Sequence, residues 1–365
     1  MKSTALAALS LLVALTSGAA GREKPRVVLM PVALVSGSSE AAAKVADVVR
    51  NRAAARGWSA PAVADVERFV EEHRVRYLDS LPQSMREEML AGFDADAIVF
   101  TTLLSQRDGA NPLAAVSARM IDREGRVIWG DAFALSANES ETLLGLGRPR
   151  DGVQLAAEVA SRVASSLPKP RRRPRVKRGP APLPQSPVTY RSGELPKRQR
   201  RRICLVPLTA SAPHAARVSL ELLAIRLASN REFEIVEAAD FRTAMRAEKL
   251  TSIGALTSDE LRRIGKHIGT TVFLRGTVHT WREASAGRSE VQLDMTLADV
   301  ESGTILWAVT HGRRGSEYAG FFQRGVVENV IALADRVISE SVQAQRQKRP
   351  ARLTPAQREA RNERH

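Results

Sequence analysis

Between residues 168 and 202 the chain places eight of its eighteen prolines, and Lys169 to Arg202 holds thirteen basic residues against one acid, Glu194. Proline removes backbone donors and fixes φ, while clustered arginines repel one another, so no core can form from this composition. The segment reads as an extended linker that cuts the 365 residues into two stretches of ordinary domain length. At about 3 Å per residue in polyproline II it could reach ~100 Å. The expected organisation is a signal peptide over 1–21, a first α/β domain over 22–167, a basic linker over 168–201, a second α/β domain over 202–343 and a basic polar tail over 344–365.

Charge follows the same division. The net charge is +15. The linker carries +12 and the tail from Arg346 carries +5, which leaves −2 for everything else. The high pI therefore describes two solvated segments and not a basic groove on a fold.

The amino terminus has the pattern of an export signal: Lys2, an apolar stretch from Ala5 to Thr16, then Ser17-Gly18-Ala19-Ala20-Gly21. Cleavage is expected near Ala20 or Gly21, delivering the chain to the periplasm or beyond. No cysteine stands at that junction, so no lipid anchor is expected. The one cysteine, Cys204, excludes an intrachain disulfide and a multi-cysteine zinc site.

The two halves follow one script. Each opens on a short aliphatic strand closed by proline, Arg26 to Val32 and Arg202 to Leu208. A helix follows, Ser39 to Arg56 and Ala215 to Asn230, the latter with Val218, Leu222 and Ile225 at helical spacing. A second strand is expected at Trp58 to Ala64 and at Phe233 to Ala238, each leading to an aspartate, Asp65 or Asp240, suited to capping the next helix. Helices at Ser84 to Gly92 and Ser258 to Ile268 lead to apolar strands at Ala97 to Phe100 and Thr271 to Leu274.

Each half then closes with a hairpin. Val291, Leu293, Met295 and Leu297 alternate with polar or small residues, the period of a strand with one packed face. Turns at Asp122 to Gly125 and Asp299 to Gly303 lead to return strands bearing Trp129 and Trp307, and an amphipathic helix ends each half. The fold class is mixed α/β with flanking helices, order β-α-β-α-β-β-β-α, in two repeated domains.

The strands ending Val-Leu-Met-Pro and Cys-Leu-Val-Pro, the Ala-Asp or Gly-Thr entry to an apolar strand, and the turn Glu301-Ser-Gly-Thr-Ile-Leu-Trp307 resemble one group of envelope domains. These are the amino-terminal domain of the translocation protein TolB, the curli secretion protein CsgG and the outer-membrane lipoprotein activators of penicillin-binding proteins. The second half resembles them better than the first. The resemblance implies non-catalytic partner binding or assembly in the periplasm, with other envelope proteins as partners. TolB's propeller repeats, a membrane-spanning hairpin pattern and a lipidation cysteine are absent from the sequence.

No residues argue for catalysis, a metal or a cofactor. The histidines (His73, His214, His267, His279, His311 and His365) form no i,i+4 pair on a predicted helix, although His279 and His311 fall on the second sheet. Cys204 sits among aliphatic neighbours and reads as core. Gly145-Leu146-Gly147 and Gly312-Arg313-Arg314-Gly315 lack the setting of a phosphate loop. Arg313, Arg314 and Tyr318 form at most an anionic surface contact. Glu71/Glu72 and Glu87/Glu88 are adjacent on helices and do not face one another. Trp129 and Trp307 read as packing residues.

The alternative function is a polyanion- or nucleic-acid-binding protein acting through Arg171, Arg172, Arg173, Arg175, Lys177, Arg178, Arg200, Arg201 and Arg202. In an exported chain the polyanions at hand are anionic lipid and wall polymer, not nucleic acid.

Overall fold

The computed structural model describes residues 25–137, 151–170, 187–192, 201–230, 233–252, 256–284, 288–319 and 326–346. The expected signal peptide, the Gly145-Leu146-Gly147 loop, His365 and most of the linker and tail lie outside them. The first lobe runs β1 (Val27–Leu29), β2 (Ala33–Leu34), α1 (Ser39–Ala55), α2 (Val63–Glu72), α3 (Gln83–Gly92), β3 (Ala97–Arg107), β4 (Leu113–Asp122), β5 (Val127–Ser136) and α4 (Gly152–Ala164). The second runs β6 (Val188–Arg191), β7 (Arg201–Leu205), β8 (Thr209–Ala210), α5 (Pro213–Ala228), β9 (Phe233–Val236), α6 (Ala238–Ala247), α7 (Ser258–Ile268), β10 (Val272–Arg282), β11 (Glu290–Asp299), β12 (Thr304–Arg314) and α8 (Val330–Arg346). The fold is mixed α/β, with two sheets and flanking helices.

Local chemistry sets the boundaries. Ser38 caps α1 by accepting from the Ala41 amide, and Thr257 with Glu260 forms a reciprocal capping box on α7. Gly125 and Gly303 take φ of 77° and 70° in the two hairpin turns, where a side chain would be strained.

The sheets share their connectivity. The first is ordered β1-β3-β4-β5 and the second β6-β12-β11-β10-β7-β9. In both, the opening strand lies parallel to the first long strand, Val27 opposite Ala97 and Ile203 opposite Val272, and the three long strands are antiparallel. Register slips fall at matching places, between Leu103 and Ser105 and between Val278 and Thr280. A second pair falls between Met120 and Ile121 and between Leu297 and Ala298.

Four layers result. Helices α1 and α4 cover one face of the first sheet through Val45, Val49, Leu155 and Val159. Helices α5 and α8 pack on the second sheet, and their core also takes in Leu104, Ala115, Ala132 and Ala134 from the first. One helix pair is therefore held between two sheets. The remaining parts of the sheet faces take α2 and α3 in the first lobe and α6 and α7 in the second.

Several expectations change. The first lobe has no strand at Trp58 to Ala64. Ser59 makes one two-bond bridge to Pro25 and Val27, and Pro61 has no N–H to extend it. The strands after α3 and α7 are longer than expected, because they continue past the apolar run into hairpins, buried on both faces in the first lobe and on one in the second. Asp65 and Asp240 lie in the first turns of α2 and α6 without capping them; the N-cap positions are Ala62 and Glu237. Within the proline-rich segment, Val188 to Arg191 forms β6 along the edge of β12, since Val-Thr-Tyr has strand-forming chemistry its neighbours lack. The lobes are in contact and not held apart.

The shared core predicts that both lobes unfold in a single transition. Ala132→Arg, which drives a charge into the seam, is expected to cost at least ~3 kcal/mol and to split a urea melt followed by circular dichroism into two steps.

Candidate functional site

The same sheet face has opposite chemistry in the two lobes. On the first sheet it presents Thr102, Leu104, Ala115, Ser117, Gly130 and Ala132, small or apolar and buried under α5 and α8. A Cβ on Gly130 would stand 3.2 Å from Ile225 of α5, so the helix needs that glycine to approach. On the second sheet the matching positions are Thr277, His279, Gln292, Asp294, Ala308 and Thr310, with Arg275 and Thr296 beside them; none is buried. Alternate residues of these strands, such as Leu274, Val291 and Leu293, face the core. The second lobe thus carries an open, polar three-strand surface where the first carries a closed one.

Charged groups fasten the closed side. Arg119 on β4 is 3% exposed. Its guanidinium donates to Glu221 of α5, to Glu237 ahead of α6 at 2.9 Å, and to the carbonyl of Asp79. Burial works against the Arg119 cation, but Glu221 and Glu237 more than offset it, so its pKa lies above the ordinary arginine value. The Glu221 carboxyl is pushed up by burial more than Arg119 pulls it down. Arg217 reaches back to Asp79 at 3.0 Å and to the Leu34 carbonyl. Asp240, freed from capping its own helix, takes both amino groups of Arg86 at 3.1 Å and the Gln83 amide at 2.7 Å, so it caps α3 of the other lobe.

The sequence candidates mostly disperse. His279 and His311 lie on β10 and β12 with β11 between them. His279 pairs with Asp294 on the open face, while His311 is buried against Glu340 of α8 at 2.6 Å. Arg313 and Tyr318, read as a surface anion contact, also bond Glu340, at 3.0 and 2.8 Å. Burial pushes the Glu340 carboxyl up, yet His311, Tyr318 and Arg313 together hold it below the usual range. Only Arg314 of that group is exposed. Cys204, Trp129 and Trp307 are core residues, and burial raises the Cys204 thiol. Among the described residues no three His, Cys, Asp or Glu are placed to hold a metal.

Of the nine basic residues proposed as polyanion contacts, Arg171, Arg172, Arg173, Arg175, Lys177, Arg178 and Arg200 lie outside the described residues. Arg201 and Arg202 belong to β7 and not to a linker; with Arg262 and Lys266 they line an open concavity of about 530 Å³.

Comparison with known proteins finds a family model that matches part of the chain. The model of the peptidoglycan-synthase activator LpoB matches residues 220–310, from α5 into β12. Solved structures similar to parts of the chain include the LpoB C-terminal domain from Salmonella enterica, at 20% identity over 32% of this chain and 83% of that one, with a TM-score of 0.26. The lipoprotein GNA1162 from Neisseria meningitidis matches at 14% identity over 31% and 82%, TM-score 0.28. The PelC dodecamer from Paraburkholderia phytofirmans matches at 15% over 45% and 99%, TM-score 0.30. No curated protein matches. Of the three envelope groups named from the sequence, the activators are supported; the TolB and CsgG likeness is not. Among the described residues no helix is long and apolar enough to cross a membrane.

Two sets of substitutions check the electrostatics. Arg119→Met strands two buried carboxylates and is expected to cost ~3–5 kcal/mol, with Glu221→Gln and Glu237→Gln added to it restoring part of the loss. Glu340 has a lowered folded pKa, so its stabilisation is complete above the unfolded value of ~4.3 and lost as pH falls through the folded value. Urea midpoints measured from pH 7 down to pH 3 should therefore fall less steeply in Glu340→Gln than in the parent.

Proposed function

We propose that the chain is a non-catalytic envelope protein, two copies of one α/β unit, whose second lobe docks a peptidoglycan synthase on its open sheet face. The observation that carries this is the coincidence of two features in one lobe. The activator family matches 220–310, and that stretch contains β10, β11 and most of β12, which build the uncovered polar face. The first lobe supplies the precedent, since its equivalent face is where protein packs. Polar, hydrogen-bonding residues such as Gln292, Thr296 and Thr310 suit a reversible contact better than a permanent one. The expected absence of a lipid anchor fits the activator group poorly.

The test uses the full chain with purified peptidoglycan synthases of the producing bacterium. Addition is expected to raise the rate of glycan polymerisation. Thr296→Arg or Thr310→Arg should cut capture of the synthase at least tenfold without lowering Tm, while Glu158→Arg on α4 should change nothing. Absence of capture, or equal loss in all three variants, would rule the reading out.

A second reading keeps the polyanion contacts. Its support is the convergence of Arg201, Arg202, Arg262 and Lys266 on one concavity, with the basic segment leading into it. Binding to phosphatidylglycerol vesicles should then weaken linearly in log Kd against log salt, and Arg201→Ala with Lys266→Ala should reduce the slope by about 2. A flat salt response dismisses it.

A further inference from the structure

The open face of the second lobe continues past its three long strands onto β6, and there it turns apolar. Among the described residues of this lobe, the large apolar side chains left exposed are Val188, Tyr190 and Ile305, at 78%, 56% and 46%. Residues directly opposite in an antiparallel pair point to the same side of the sheet. Val188 and Tyr190 are opposite Thr310 and Ala308, on the open side. Ile305 is opposite Ala298, which shares its side of β11 with Thr296. All three therefore stand on one face, as an apolar rim along its outer strands.

A cross-strand row runs from this rim to a cation. Tyr190 is opposite Ala308, Ala308 opposite Thr296, and Thr296 opposite Arg275. Arg275 is exposed, and among the described residues no carboxylate pairs with it. The acids that share its side of β11 are engaged elsewhere: Glu290 by Arg282 and Arg314, Asp294 by His279. The row crosses three strand spacings, roughly 14 Å, over a floor of small residues. A helix with its side chains is about 10–12 Å across, so one helix fits along the strands between the rim and Arg275.

In the first lobe the matching place is filled. Its row is Phe100, Arg119 and Gly130, opposite one another across β3, β4 and β5. Gly130 lets Ile225 of α5 approach, and Glu221 of the same helix takes Arg119. The covering helix thus brings apolar side chains to the outer strand and a carboxylate to the arginine of the row. We infer that the open face of the second lobe receives one acidic amphipathic helix of its protein partner. Its apolar stripe lies against Val188, Tyr190 and Ile305, and a carboxylate on its other flank pairs with Arg275. Such a helix belongs to the synthase docking proposed above and rests on that reading. Strand β6 makes the segment between the lobes part of the contact.

The test repeats capture of purified peptidoglycan synthases by the full chain, with benzoylphenylalanine in place of Tyr190 as a photocrosslinker and with exchanges at both flanks. Irradiation is expected to link that position to a helical synthase segment carrying an aspartate or glutamate within two turns. Tyr190→Ser should weaken capture at least fivefold and Arg275→Glu at least tenfold, both without lowering Tm, since the two side chains are exposed. The gap between the parent and Arg275→Ala should narrow as NaCl rises from about 0.05 to about 0.5 M. If Thr296→Arg abolishes capture while Tyr190→Ser and Arg275→Glu keep it, the face docks the synthase and the helix assignment falls. A crosslink to a strand, a loop or an acid-free helix, or none from a chain that still captures the synthase, overturns it equally. No capture by the parent overturns the docking itself and the helix with it.

Discussion

Helix α5 has apolar side chains on more than one side, and much of the architecture depends on that. Val218, Leu222, Leu223 and Ile225 are fully buried, and Leu220 and Ala224 are partly buried against the same core. A helix apolar around most of its circumference must be covered around most of it. The second sheet covers one side, so the first lobe has to cover the other. The lobe that supplies this cover has small residues, Ala115 and Ala132, where its counterpart has polar Gln292 and Thr310. Helix α1, the equivalent of α5 in the first lobe, keeps Glu40, Lys44 and Asp47 toward solvent, and the layering stops there.

The seam adds specificity to this burial. Bringing Arg119, Glu221 and Glu237 out of water costs several kcal/mol per ion before any attraction is counted, and an apolar trio of the same volume would often hold as well. A charged trio, however, tolerates only one alignment of β4 against α5 and α6. The Asp240 carboxylate does the same for α3, because its two oxygens are divided between a guanidinium and a helix amide of the opposite lobe. Apolar contact makes the lobes stick, and these groups fix their register.

Much of the fold was legible in the sequence. Strand periodicity over Val291 to Leu297, the helix beginning at Ser258 and the glycines of the hairpin turns correspond to observed elements. These are local signals, with their physics confined to neighbouring residues. What was not legible was long-range. Reading Val218, Leu222 and Ile225 as one face of α5 passed over Leu220, Leu223 and Ala224, the signal that a second surface lies opposite. The Glu340 hub, built from residues 22 to 29 positions away, left no trace in spacing. The open face itself was present in the polar alternation of β11, but only its contrast with the covered first sheet marks it as a site.

Strand β6 has a consequence for how anything can be recognised here. Its four residues occupy the backbone donors and acceptors of β12 from Trp307 to Thr310. Exposed sheet edges are where extended peptides join a fold by strand addition, and where like chains aggregate. The chain has filled that stretch of the margin with its own connecting segment. An incoming peptide cannot zip onto β12 there without first evicting β6, and the outer strands left to this sheet are β6 itself and β9.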